Sequence, residues 1–161
     1  MLDKLIPQRS IGMLYGPSNS GKSHLMCDLI ATVIAGHSHW QERLIQSGDI
    51  VLFSESIGHI RARLKAYLGD QERKNKLYSL PTMSLDIANI RHLGEFLSQL
   101  EVKPIACMFD TTATMFSFEE NDNREASKLI KSLEEFVLPQ LDPLGSILLT
   151  HHTSKISEGR S

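Results

Sequence analysis

Hydrophobic positions fall into two alternating patterns along the chain: short apolar runs, and longer segments where apolar residues recur every three or four positions. The runs at 11–15, 50–54, 77–80, 105–109 and 147–150 have the length and composition of strands covered on both faces. Between them, Leu25, Met26, Leu29, Ile30, Val33 and Ile34 share one helical face, and Gly36 stands where that helix would end. Ile57, Ile60, Leu64, Tyr67 and Leu68 repeat the pattern ahead of Gly69. Ile90, Leu93, Leu97 and Leu100 repeat it again, with Asp86 as the N-cap. A last helix carries Ala126, Leu129, Ile130, Leu133 and Val137, and Pro139 and Pro143 interrupt it, because proline lacks the amide donor a helix interior needs. Strand alternating with helix predicts an α/β domain built on a mainly parallel sheet.

Composition narrows this picture. A chain of 161 residues that is 41% hydrophobic, with no repeat or linker, can bury one continuous core, so residues 1–161 read as a single domain. The polar segment 153–161 follows the last strand without a closing element and is expected as a mobile tail. Lys plus Arg number 17 against 19 Asp plus Glu, a net charge of -2, so any contact with a polyanion needs a local patch. The apolar runs fall far short of the roughly 20 residues that span a bilayer, and the opening MLDKLIPQRS lacks a secretory signal's apolar stretch. Cys27 and Cys107 lie far apart, outside any C-x-x-C pair, as in proteins of a reducing compartment. The expectation is a soluble cytoplasmic protein with no membrane partner. His37, His39, His151 and His152 have no cysteine pair at ligand spacing, which argues against a zinc cage.

The chemistry concentrates in Gly16-Pro17-Ser18-Asn19-Ser20-Gly21-Lys22-Ser23, which satisfies G-x-x-x-x-G-K-[ST] between the first strand and the first helix; His24 completes the segment. A loop of this kind wraps backbone N–H groups around phosphate oxygens, and the helix behind it adds its positive end. Lys22 would reach the β and γ phosphates, and the Ser23 hydroxyl would ligate Mg²⁺. The plain alternative is a glycine turn before a helix. The second half of the site should be an acidic residue that holds the metal, and Asp110, at the end of the fourth run ahead of Thr111 and Thr112, has the right position; an ordinary turn-starting Asp would look the same. Glu55, at the end of the second run, suits a base that orients water, or equally a solvated strand-end Glu. Thr150, His151 and His152 bring polar groups to the same edge, where one could sense a γ phosphate or simply face solvent.

In this order the motifs resemble the RecA-like ATPases, and most closely the RepA-like hexameric replicative helicases, AAA ATPases of plasmids and phages. Leu5-Ile6-Pro7, Phe53-Ser54-Glu55, Glu120-Asn121-Asp122-Asn123 and His151-His152-Thr153-Ser154-Lys155 look like features of that family, and the likeness spans nearly the whole chain. It implies a P-loop NTPase with a RecA-like three-layer core, in which Gly16, Gly21, Lys22 and Ser23 bind ATP and Mg²⁺. By the same resemblance Glu55 activates water, Asp110 is the Walker B acid and His151 is the polar sensor. The family's sites lie between subunits of a homo-oligomeric ring, hexameric in the named helicases, and are completed by a neighbour's basic finger. Single-stranded DNA passes through the centre, which would place residues 114–124 and 153–160 beside it.

Two departures stand against that pattern. Family members continue through further strands that usually carry the finger, and this sequence is expected to lack them. The candidate channel segment carries Glu119, Glu120 and Asp122, whereas a phosphate-tracking loop should be basic. Arg61, Arg63, Lys65, Arg73, Lys74 and Lys76 form a more basic candidate, though a solvated helix face is the plainer reading of such a run. The leading expectation is an Mg²⁺-dependent ATPase driving movement of single-stranded DNA. A nucleotide-controlled switch, loader or regulator without motor activity is the second. A small-molecule kinase, third, would show an arginine-rich lid, and none is visible.

Overall fold

In the computed structural model, which describes residues 5–81, 89–112, 116 and 123–152, each predicted apolar run forms a strand. The chain runs through β1 (Ile11–Gly16), α1 (Lys22–Ala35), a hairpin of β2 (His39–Trp40) and β3 (Arg43–Leu44), and β4 (Ile50–Ser54). It continues through α2 (Ile57–Leu68), β5 (Leu77–Pro81), α3 (Ile90–Ser98), β6 (Ala106–Asp110), α4 (Asn123–Ser132) and β7 (Ser146–His152). Five strands make one sheet in the order β1-β7-β6-β4-β5, every pair parallel. The interior strands β4 and β6 are buried along their whole length, which is why their runs are apolar up to the terminal Ser54 and Asp110.

Alternation along the strands sorts the core into two halves. Ile50, Leu52, Ala106, Met108 and Leu148 face α1 and α2, packing with Met26, Ile30, Ile34, Ile60 and Leu64. Val51, Phe53, Cys107, Phe109, Ile147 and Leu149 face the other way, against Ile90, Leu97, Leu129 and Leu133. Helices thus cover both faces of the sheet, giving the three layers expected, and the Phe53 and Phe109 rings stack with centroids 5.3 Å apart. Among the described residues no helix is long and apolar enough to cross a membrane.

Three local features depart from the sequence reading. The β2–β3 hairpin leaves no trace in the hydrophobic pattern, because two-residue strands carry no periodicity; its Trp40 indole donates to the Asp28 carboxylate at 2.8 Å, tying it to α1. The last helix does not run regularly to Val137. It widens into a π turn over Leu133–Val137 and tightens into a 3₁₀ turn over Leu138–Gln140. Pro139 cannot donate to the carbonyl four residues back, so α-helical bonding cannot continue through it. Asn89, rather than Asp86, immediately precedes α3; Asp86 itself lies outside the described residues, as do segment 153–161 and most of 114–124.

Both thiols are free and buried. Burial pushes the Cys107 thiol far above the usual thiol range. A raised folded-state pKa leaves its stabilisation complete below the unfolded pKa, near 8.5, and removes it as pH rises towards the folded value. We expect the thermal midpoint to fall between pH 8.5 and 10.5, with a shallower fall in Cys107→Ala. Identical slopes in the two proteins would assign the alkaline loss to other groups.

Candidate nucleotide site

Parallel register brings the strand ends together. Gly16 pairs with His152, and Ser54 with Asp110, so β1, β7, β6 and β4 finish along one edge of the sheet, the place where open α/β sheets bind ligands. Leu14, Leu52, Met108 and Leu148 belong to the core half under α1 and α2. Two residues further on, Gly16, Ser54, Asp110 and Thr150 share that face, and His152 follows Thr150.

The connection from β1 to α1 takes its shape from two left-handed residues, Asn19 with φ 62° and Gly21 with φ 88°. A side chain at Gly21 would meet nothing within 4 Å, so this glycine is needed for its dihedral and not for space. Ser20 N–H donates to the Pro17 carbonyl at 3.3 Å, and Leu25 N–H to that of Gly21 at 3.0 Å, leaving the loop wrapped over the start of α1. Lys22 is 7% exposed. Its ammonium donates to the carbonyls of Gly16 and Pro17, both at 2.8 Å, and to His152 Nδ1 at 3.1 Å. An ammonium has three donors, and all three end on neutral acceptors, so a nearly buried positive charge stands at the helix start without a counter-charge. Because Lys22 can only donate, Nδ1 of His152 accepts and the ring proton sits on Nε2. Ser18 Oγ lies 3.4 Å from the same nitrogen.

Asp110 is 6% exposed and held at both oxygens. Thr150 donates its hydroxyl to Oδ1 at 2.6 Å, and Ser23 donates to Oδ2 at 3.3 Å. Thr112 Oγ1 donates to the Thr150 carbonyl at 2.7 Å, locking the loop after β6 to the end of β7. Ser23 and Asp110 therefore offer adjacent hard oxygens of the kind Mg²⁺ takes, and the donor set fits that ion.

The structure places two residues differently from the leading sequence reading. The histidine that reaches the phosphate loop is His152, not His151. His151 pairs with Tyr15 and follows Leu149, whose side chain lies on the α3 and α4 side, so alternation turns it to the opposite face. Arg63, read from the sequence as part of a solvated basic run, lines a cleft with Asn19, Ser20, Lys22, Ser23 and His152. It is half-buried while Arg61 and Lys65 are exposed. The Cys27 thiol, in α1 beneath the loop, is raised by burial, lowered by the Arg63 charge and raised by that of Asp110, so all three groups share one electrostatic neighbourhood. Arg63 precedes Leu64 on the buried side of α2, and that helical phase is the signal the sequence offers. Glu55 is exposed in the turn after β4, directly beyond the Ser54 that pairs with Asp110, and the Ser54 hydroxyl accepts from Ser56 N–H at 3.1 Å to hold that turn. His24 lies on the exposed side of α1, one residue past Ser23.

Comparison with known proteins bears on the fold and the family. A search of curated proteins finds no match. The crystal structure of the RadB recombinase is similar in fold, with a TM-score of 0.50 at 11% identity; the match covers 95% of this chain and 66% of that one. The present chain thus spans just under two thirds of that neighbour's length. The AAA domain family matches residues 1–158. With a phosphate loop on the first strand, a carboxylate on the third sheet strand in line and a RecA-like parallel sheet, the chain belongs to the AAA domain family and has a RecA-like P-loop fold.

Proposed function

We propose that this domain binds and hydrolyses ATP with Mg²⁺ and works on single-stranded DNA within a homo-oligomeric ring, in the manner of the replicative helicases it resembles. The observation that carries the nucleotide half of this reading is Lys22, an ammonium buried against three neutral acceptors and therefore open to an anion. The likeness in fold to a recombinase supports the DNA half.

Each residue has a distinct role in this reading. The loop amides and Lys22 bind and neutralise the phosphates, charge stabilisation being the main demand of phosphoryl transfer. Ser23 and Asp110 would hold Mg²⁺, whose bound charge supplies further neutralisation. Glu55, in the turn after β4, orients water for in-line attack. His152 replaces His151 as the sensing group: an arriving phosphate competes for Lys22 and frees the imidazole to turn towards the anion. The acidic residues Glu119, Glu120 and Asp122 favour a second reading, a nucleotide-controlled switch or loader without motor activity, since they would repel a DNA backbone.

Phosphate release with and without single-stranded DNA separates the two. The motor reading expects DNA-stimulated turnover that drops by about 100-fold or more in Glu55→Gln while ATP still binds. ATP binding without turnover in the parent protein supports the switch. Full turnover in Glu55→Gln removes that residue from the mechanism.

A further inference from the structure

Beyond the phosphate loop, an open cleft of about 700 Å³ continues over the outer surface of α1. Pro17, Ser20, His24, Leu25, Asp28 and Tyr67 line it. Lys22, His24 and Asp28 all line it, so the cleft follows α1 for about 9 Å from the phosphate end, at 1.5 Å per residue. That is the extent of a nucleoside. Its walls are mixed in the way a base requires: Leu25 and Tyr67 are 39% and 41% exposed apolar surfaces, and Asp28 is a carboxylate.

Asp28 is held in an unusual way. Its Oδ2 accepts the Trp40 indole N–H at 2.8 Å, which fixes the side chain and leaves Oδ1 without that partner. No cation is paired with it: the ion pairs among the described residues are Arg91 with Glu95 and Lys128 with Glu125. An ionised carboxylate only accepts, so the group it can recognise in the cleft is a donor. We infer that this cleft is the nucleobase subsite of the ATP site proposed above, and that Asp28 selects adenine by accepting a hydrogen bond from its 6-amino group. The inference rests on that ATP-binding reading. Guanine presents a carbonyl at position 6, acceptor against acceptor, and clamping its N1–H and N2–H together would require Oδ2 to accept twice, from Trp40 and from the base. The β2–β3 hairpin thereby gains a purpose, since Trp40 is a positioning residue for Asp28.

Calorimetric titration of the full chain with Mg²⁺ and three ligands tests this. The ligands are ATP, purine riboside triphosphate, which lacks only the 6-amino group, and inorganic tripolyphosphate. ATP is expected to bind at least about tenfold more tightly than the purine analogue, the usual size of a hydrogen bond to a charged group. In Asp28→Asn the amide oxygen keeps the Trp40 bond and turns an NH₂ to the cleft, donor facing donor. ATP affinity should fall to that of the analogue while tripolyphosphate binds as before, which also shows that the phosphate loop is folded. Equal binding of ATP and the analogue by the parent protein, or an unchanged ratio in Asp28→Asn, overturns the subsite while tripolyphosphate binding upholds the phosphate site. If none of the three ligands binds, the ATP reading fails and the subsite with it.

Discussion

Lys22→Ala is expected to weaken ATP binding by roughly 100-fold and abolish turnover while leaving the empty protein nearly as stable as before. The two halves of this result have one cause. The ammonium is almost buried, and none of its three partners carries a charge. Desolvating an uncompensated charge costs free energy, and three hydrogen bonds to neutral acceptors offset only part of it. Removing the charge relieves that cost and lets water reach the Gly16 and Pro17 carbonyls, so a net change of no more than about 1 kcal/mol in either direction is expected. An ammonium so placed is kept for the anion it meets. Paired nucleotide titrations and thermal melts check both halves. Affinity within threefold of the parent protein would show that the loop amides suffice, and a melting point lowered by more than about 5 °C would mean that Lys22 holds the loop together.

Gly94→Ala is expected to destabilise the fold by about 3 kcal/mol, a drop of roughly 6–12 °C in melting temperature for a domain of this size. Intrinsic propensity gives the opposite sign, since alanine in a helix interior is favoured over glycine by about 1 kcal/mol. The contact decides between them. A Cβ built on Gly94 runs into the carbonyl oxygen of Phe136, and it lies 3.3 Å from Phe136 Cβ. Phe136 belongs to the π turn that packs on α3, and its backbone cannot step aside without parting the two elements. Relief would require α3 to move away from Leu133 and Val137 in the core. Circular-dichroism melts measure the change, and a stabilised Gly94→Ala protein would mean that α3 and the π turn separate freely.

The contrast between these sites shows what a linear sequence can and cannot carry. The phosphate loop is legible because its eight residues are contiguous and sit where a strand becomes a helix. Asp110 is legible from its position at the end of an apolar run, and the structure adds what that position could not, the bonds from Ser23 and Thr150 across two other elements. His152 loses to its neighbour in the sequence because the choice depends on strand parity. The parity becomes known only once Leu148 is seen to face α1. Arg63 is lost in a run of like charges for a similar reason, since one residue of helical phase separates a group over the phosphate cleft from one in solvent. The Gly94 contact is invisible altogether. It joins residues more than forty positions apart, and a lone glycine in a helical pattern reads only as a weak spot.

The pairing of β1 with β7 has a consequence for how the protein comes into being. Among the described residues β1 has a single strand neighbour, and that neighbour is the last of the described strands. The loop that carries Lys22 therefore leaves the ribosome first among the elements of the site, yet its supporting strand has nothing to pair with until β7 has been made. Pairings so distant in sequence form late and slowly, because the intervening chain must be ordered before they close. Nucleotide binding should accordingly be the final property gained during folding and the first lost under mild denaturant. For this chain, capture of ATP would report that β7 has been made and has closed against β1.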